Sequence, residues 1–390
     1  MEGTKTKWPI RLFNIISGSR IKIDPNKLTK ATMRQSGLSN LGAEYNPEPL
    51  EVLCKSITDE ARLHPFGAFM IKQKLIGQIE GRLWAEHWFR THPEILDQPL
   101  LPVVLITGLQ RTGTTKLQRL LSQMDGARGL RSWEGLYPAP IGNESETQKR
   151  INKTKLNERA VRWISPSFYS IHPIEHENFE EDVLLLDLDF MSSSSEAIMH
   201  VPSYADYLNR TGQTAAYAYE VKLLKLLQWQ RPGKYWVLKS PHHLEYLDII
   251  KTQMPDLKLI WTHRDPKATI PSYMSMLYHG RRMFSEEVVA RDITDHWIPK
   301  IDRMLTKGLK DVKVLSAVKH LHFNDLLERE SKIIKEITDW IGATPPSPKE
   351  ESKSYYSSHR YELQDWGLTA DGIDDQFGYY LKAMKSLTHA

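Results

Sequence analysis

A glycine-bounded loop between a buried strand and an amphipathic helix constrains this 390-residue chain more than any other feature. The run 101–107 is continuously apolar and β-branched, which is typical of a strand buried on both faces of a parallel sheet. The loop 108–115 follows it, and apolar residues at helical spacing over 117–124 predict a helix. Strand, loop and helix in this order have the layout of a phosphate-binding unit.

The strand-to-helix pattern recurs three times further along the chain. Strands are predicted over 235–238, 257–262 and 318–323, and each is followed by a helical pattern. Ser240 and Asp265 are suited to cap the helices after the first two of these strands. Strands that alternate with helices predict an α/β fold, here a P-loop-like parallel sheet flanked by helices.

Changes in the sequence pattern along the chain predict its domain organisation. No strand pattern precedes residue 99, so 1–98 is predicted to be a helical N-terminal extension. The α/β domain is predicted over 99–345, with a mostly helical insertion at about 142–231. A proline-rich linker then leads into a polar C-terminal tail, 346–390.

The composition excludes several classes of protein. Hydrophobic residues make up 40% and charged residues 26%, an ordinary globular balance. A net charge of +4 does not predict nucleic-acid binding, so no nucleic-acid partner is expected. The single cysteine, Cys54, lies in a helical apolar stripe and excludes an intrachain disulfide. With no secretory signal and no long apolar run, the chain is predicted to be cytoplasmic.

The basic N-terminal segment, 1–22, has two interpretations. Apolar residues lie between its cations, so it could make peripheral contact with an anionic membrane surface. Alternatively, Trp8 and Phe13 pack onto the body of the protein. We favour packing, because such motifs are weak indicators of membrane binding.

The loop 108–115 has the length of a nucleotide P-loop but not its cation. Thr114 stands where an ATPase has the lysine that binds the β- and γ-phosphates, and Arg111 supplies the positive charge instead. A guanidinium, hydroxyls and backbone N–H groups can hold a terminal phosphate or phosphosulfate without a metal ion. The residues predicted to do so are Arg111, Thr112, Gly113, Thr114 and Thr115. No histidine, cysteine or acid set has convincing zinc spacing, and no metal is predicted.

Two further motifs place cations at strand ends. Arg264 follows the strand 257–262, and Ser272 lies eight residues later, about two turns into the next helix. Lys239 directly follows the strand 235–238. A surface ion pair of Arg264 and a snorkelling Lys239 remain as alternatives. Together with the loop, these residues predict a ligand with two separated anionic groups.

These motifs resemble those of the PAPS-dependent sulfotransferases. The Arg-Thr-Gly-Thr-Thr loop is similar to the family's 5′-phosphosulfate loop, and Arg264 with Ser272 is similar to its 3′-phosphate site. The resemblance is greatest to the arginine-loop branch, which includes bacterial small-molecule and lipid sulfotransferases, and it extends over about 24–379. It implies PAPS as co-substrate, PAP as product, and a tail that packs on the nucleotide site, with Arg360 and Tyr361 binding the nucleotide.

The resemblance also implies catalytic roles. Arg111 and Lys239 would stabilise charge on the transferred group, and a glutamate about two dozen residues after the loop would act as the general base. Glu134 lies 23 residues after Arg111 and is the predicted base, with an ion pair to a neighbouring arginine as the alternative. His243, one turn after Lys239, is the best rival.

The acceptor is predicted only by class. Aromatic residues are plentiful between 133 and 229 and suggest a small apolar or lipid-like acceptor with a hydroxyl or an amine. Lys116 departs from the cytosolic aryl and hydroxysteroid enzymes, which have an adenine-stacking tryptophan at this position. The competing interpretations are an ATP-dependent nucleotide or metabolite kinase and a non-catalytic nucleotide-binding protein.

Overall fold

The computed structural model describes residues 6–17, 22–143, 147–344 and 361–388. Its centre is a five-stranded, all-parallel sheet with the strand order β2-β3-β1-β4-β5. The strands are β1 (Val103–Thr107), β2 (Ala127–Gly129), β3 (Tyr235–Lys239), β4 (Leu257–His263) and β5 (Val318–His322). Helices cover both faces, so the predicted fold class is confirmed.

Burial explains why the predicted strands could be read from their composition. All five residues of β1 are buried, and β1 lies between β3 and β4, pairing Leu105 with Leu238 and Leu259. The short edge strand β2 was not predicted, because the sequence Ala-Arg-Gly has no β-branched residue. It pairs with β3 and carries the buried side chain of Arg128.

Among the described residues, five helices precede the sheet. The last four of them pack into the same hydrophobic core as β1, so Leu50 and Leu83 belong to one cluster with Leu105. Cys54 lies in this core, as predicted, and burial raises the pKa of its thiol to about 12. The helices are α1 (Trp8–Ser17), α2 (Pro25–Ser36), α3 (Glu48–Glu60), α4 (Pro65–Thr91) and α5 (Glu94–Asp97).

The remaining helices connect and flank the strands. The predicted helical insertion, about 142–231, contains six of them among its described residues. These helices are α6 (Thr114–Leu121), α7 (Ser132–Leu136), α8 (Thr147–Ile164), α9 (Pro166–Ile171), α10 (Val183–Leu186), α11 (Ser194–Ile198), α12 (Pro202–Arg210), α13 (Thr214–Gln230), α14 (Leu247–Gln253), α15 (Pro266–Arg281), α16 (Ala290–Asp311), α17 (Phe323–Glu328), α18 (Glu330–Ile341) and α19 (Ala370–Thr388).

Both predicted capping residues cap the turns that leave the sheet. The Ser240 hydroxyl accepts a hydrogen bond from the backbone N–H of His242, although the element that follows is a 3₁₀ helix, Pro241–Glu245. The Asp265 carboxylate accepts one from Lys267 N at the start of α15. These caps fix the directions in which the chain leaves β3 and β4.

The N-terminal helix α1 partly contradicts the packing interpretation. Phe13 packs against Phe66 and Phe69 of α4, with ring centroids 5.5 and 6.0 Å apart. Trp8, however, is 74% exposed and does not pack into the body. Among the described residues, no helix combines the length and the apolar character needed to cross a membrane.

The C-terminal tail reaches the sheet beside β5. Helix α19 lies against β5, and the Tyr380 hydroxyl is 3.0 Å from Nδ1 of His263 at the end of β4. Arg360 lies outside the described residues, and Tyr361 is the first described residue of this segment. The nucleotide-binding role of both residues therefore stays a prediction.

Candidate active site

Hydrogen bonds from threonine hydroxyl groups connect the carboxyl ends of the three central strands. Thr107 of β1 donates to the carbonyl of Ser240 after β3, over 2.9 Å. Thr262 of β4 donates back to the carbonyl of Thr107. Ligands bind at this edge of open parallel sheets, so the three strand ends form a rigid base for a site.

The loop after β1 needs glycine at both ends. Gly108 has a φ of 146°, and a Cβ there would lie 2.4 Å from the carbonyl oxygen of Thr262. Gly113 has a φ of 88°, and a Cβ there would lie 2.9 Å from the Phe323 ring. Glycine allows the backbone to turn tightly against β4 and α17.

The hydroxyl of Thr112 holds the loop rather than facing outward. It donates to the carbonyl of Leu109 over 2.6 Å, lies 2.7 Å from the Thr262 hydroxyl, and is fully buried. The backbone N–H of Thr112, and not its hydroxyl, is therefore the group that could contact a ligand. Thr114 and Thr115 begin α6, so their N–H groups belong to the helix N-terminus, which favours anions. Lys116 forms an ion pair with Glu330.

Residues from two separate predicted motifs meet at this loop, Arg111 from the loop itself and Arg264 and Ser272 from the β4–α15 motif. Arg111 has a φ of 69°, rare for a residue other than glycine, and its Nε donates to the Ser272 hydroxyl over 3.1 Å. Arg264 Nη1 donates to the Arg111 carbonyl over 2.9 Å, and its guanidinium lies over the Phe323 ring. Arg264 thus lies against the loop.

Lys239 lies in the same region but is buried. Its Nζ donates to Oε1 of Glu181 over 2.7 Å, and the side chain is 1% exposed, so it does not snorkel. The Ser240 hydroxyl lies 3.3 Å from the other oxygen of Glu181. Glu181 keeps 27% of its side chain exposed, which leaves the carboxylate reachable from solvent.

Glu134 forms an ion pair, which was the alternative to its predicted role as the base. Arg128 donates to both carboxylate oxygens, over 2.7 and 2.9 Å, and Arg231 donates to both as well. The backbone N–H of Arg131 supplies a further bond, and Glu134 is 1% exposed. Burial alone would raise the pKa of Glu134, but the two guanidinium groups outweigh it and hold the pKa below its usual value. This geometry favours a structural carboxylate over the predicted base.

His243, the rival base, is also committed to internal contacts. Its Nε2 lies 2.9 Å from Oδ2 of Asp182, and its Nδ1 lies 2.8 Å from the Tyr217 hydroxyl. The side chain is 1% exposed. With both ring nitrogens bonded inside the protein, His243 does not present a nitrogen to an acceptor.

Asp182 connects this buried network to the end of β3. Its Oδ1 accepts a hydrogen bond from the backbone N–H of Lys239 over 3.1 Å. Ligand atoms of Asp182, Glu220 and His243 lie within 4.8 Å of one another, an arrangement that could hold a metal ion. A proton shared between the carboxyl groups of Asp182 and Glu220 removes the repulsion between their negative charges, as a bound cation would. Burial and the Asp182 charge raise the pKa of Glu220 well above its usual value, while His243 outweighs the burial of Asp182 and lowers its pKa.

Glu181 and Asp182 were not among the predicted site residues. The available signal is that these acids directly precede the wholly apolar helix α10. That signal does not reveal a contact with Lys239, which lies 58 residues away in the chain.

Comparison with known proteins assigns the class. The sequence profile of the sulfotransferase family matches residues 102–346, and the chain belongs to this family. Sulfotransferase STF1 of Mycobacterium tuberculosis H37Rv superposes with a TM-score of 0.79 at 27% identity, over 92% of this chain and 99% of STF1. Sulfotransferase STF9 of Mycobacterium avium has a similar fold, with a TM-score of 0.80 at 20% identity, over 94% of this chain and 98% of STF9. None of the curated proteins matches the sequence.

The buried carboxyl pair predicts a pH-dependent effect on stability. Because the folded pKa of Glu220 is raised, its protonated form is favoured by folding, and this contribution is lost as pH rises from the unfolded value toward the folded one. Glu220→Gln keeps the shape of the protonated acid and cannot ionise. We expect the variant to match the wild type near pH 4.5 and to become relatively more stable above it, by up to about 1.4 kcal/mol per pH unit. Urea unfolding across pH 4.5–8 measures this, and a constant difference would contradict it.

Proposed function

We propose that the protein transfers the sulfuryl group of PAPS to a hydroxyl or amine of a small acceptor and releases PAP. The observation that carries the proposal is the meeting of Arg111, Ser272 and Arg264 beside the glycine-bounded loop. Sequence-distant cations and hydroxyls are joined there at the carboxyl end of the sheet. Family membership supplies the reaction class, and this donor set supports an anionic nucleotide as the second substrate.

The donor set fits a ligand with two anionic ends. Arg264 and Ser272 would hold a 3′-phosphate, while the loop N–H groups and Arg111 would hold the 5′-phosphosulfate. Lys239 ends the neighbouring strand β3 and would reach the bridging oxygen of the same group. Fixed positive charge in a buried setting stabilises the negative charge that develops on the leaving oxygen.

Glu181 is the base that this geometry supports best. It is the partly exposed carboxylate beside Lys239, whereas the carboxylate of Glu134 is enclosed by arginines. Glu181 would take the proton of the acceptor as the acceptor oxygen or nitrogen forms its bond to sulfur. The bond from sulfur to the bridging phosphate oxygen breaks in the same step, and its electron pair leaves with PAP.

Asp182 and His243 would position Glu181 and Lys239 rather than take part in the reaction. Asp182 binds the backbone N–H of Lys239, and the adjacent residue Glu181 binds its ammonium group. Both contacts orient the end of β3 and the segment before α10 toward each other. Such support keeps a reacting pair in one geometry without solvent reorganisation.

An affinity test separates the two proposed anion subsites. Arg264→Ala should weaken PAP binding by about tenfold to a hundredfold, since a charge-assisted contact contributes roughly 1.5–3 kcal/mol. Adenosine 5′-phosphosulfate lacks the 3′-phosphate, so its binding affinity should fall much less. Isothermal titration of both nucleotides without divalent metal measures this. An equal loss for both would remove Arg264 from the 3′-phosphate subsite.

A matched pair of isosteric variants tests the base. Glu181→Gln should retain PAP affinity while turnover falls by about 10²–10⁴, the usual effect of removing a general base, and it should also lower the free energy of unfolding, because the buried Lys239 loses its charged partner. Glu134→Gln should lower the free energy of unfolding by roughly 3 kcal/mol, because Arg128 loses its charged partner, and should retain turnover in the protein that stays folded.

The measurements are PAP release with a simple phenol as acceptor, at saturating PAPS, and urea unfolding of each variant. If stable Glu134→Gln protein loses turnover and Glu181→Gln retains it, the base role returns to Glu134.

A further inference from the structure

The helix α1 exposes an apolar face that the body of the protein does not cover. Ile10, Phe13 and Asn14 face the body: Ile10 is buried, Phe13 packs on α4, and Asn14 Oδ1 accepts a hydrogen bond from Phe66 N. The opposite side carries four large apolar residues at helical spacing. They are Trp8 at 74%, Leu12 at 47%, Ile15 at 76% and Ile16 at 75% exposure.

This face is the main concentration of exposed apolar side chains in the described structure. Four of the eleven large hydrophobic residues that are exposed there lie on α1. Phe69, 41% exposed, contacts Phe13, and Trp163, 45% exposed, lies 5.5 Å from the ammonium of Lys7. An ordinary surface helix presents polar residues on its outer side. A contiguous apolar patch marks a surface that another component covers.

The charge around this face indicates which component covers it. Lys7 and Arg11 flank the apolar residues, and α1 itself carries no acidic residue. Just before the helix, the Thr6 hydroxyl donates a hydrogen bond to Glu286. A second copy of the chain would bring like charges together across a two-fold axis, which is unfavourable. Negatively charged lipid headgroups complement the cations, and acyl chains accommodate the apolar residues.

We propose that the α1 face, formed by Trp8, Leu12, Ile15 and Ile16 with Lys7 and Arg11, docks the protein onto an anionic membrane surface. The helix would lie in the plane of the interface, with its apolar side chains among the acyl chains. Its inner side stays anchored on α4 through Phe13 and Asn14. The contact is peripheral, so it does not require a membrane-spanning segment.

Vesicle flotation of the full-length protein, without nucleotide or acceptor, tests the docking. The wild type should float with phosphatidylglycerol–phosphatidylcholine vesicles at physiological salt. Replacing Ile15 and Ile16 by glutamate should reduce binding at least tenfold. Arg11→Gln should reduce it about fivefold on anionic vesicles, which corresponds to about 1 kcal/mol per cation near the surface. Val314→Glu, at another exposed apolar position, is the matched control and should bind like the wild type.

Three results would overturn the proposal. The wild type could fail to float, or the Ile15→Glu, Ile16→Glu variant could float as well as the wild type. Analytical ultracentrifugation could instead show a dimer that this variant dissociates, which would assign the face to a second copy of the chain. A failure of sulfuryl transfer would leave the docking result unaffected, because flotation uses neither substrate.

Discussion

The geometry of the site depends on Asp182, which ties two distant segments together. One oxygen of its carboxylate accepts the backbone N–H of Lys239, and the other lies against His243. The next residue toward the N-terminus, Glu181, receives the Lys239 ammonium. The Asp182 contacts thus reinforce the direct contacts of Glu181 with Lys239 and Ser240 at the end of β3. A raised pKa of Glu220 allows Asp182 to keep its charge in a buried setting.

The anion-binding side depends on a separate set of constraints. Gly108 and Gly113 permit the loop to pass close to β4 and α17, and the Thr112 hydroxyl fastens it to Thr262. This leaves the backbone of Arg111 in the left-handed region, with its carbonyl bound by Arg264. The cost of such a conformation, of order 1–3 kcal/mol, is offset by the surrounding contacts and is common at functional sites.

The sequence was sufficient to predict the fold because its strands are buried on both faces. Continuous apolar runs identified β1, β3 and β4, and the caps Ser240 and Asp265 marked where each chain segment leaves the sheet. Strand β2 was missed because it is held by pairing with β3 and by the buried Arg128, not by its own propensity.

The site was predictable only where residues follow strands directly. Arg111, Lys239 and Arg264 share an edge because parallel strands end there. Glu134 was assigned as the base from its spacing, but spacing cannot show that Arg128 and Arg231 enclose it. Glu181 lies outside the sheet, and its contact with Lys239 arises only from tertiary packing.

Mass spectrometry of products tests the central claim most directly. The purified protein would be incubated with PAPS and a mixed panel of phenols, alcohols, amines and lipids, without divalent metal. The account predicts an acceptor whose mass increases by one SO₃ group, together with an equal amount of PAP, and loss of this product in Lys239→Ala. No sulfated product, with phosphorylation of an acceptor from ATP and Mg²⁺ instead, would contradict it.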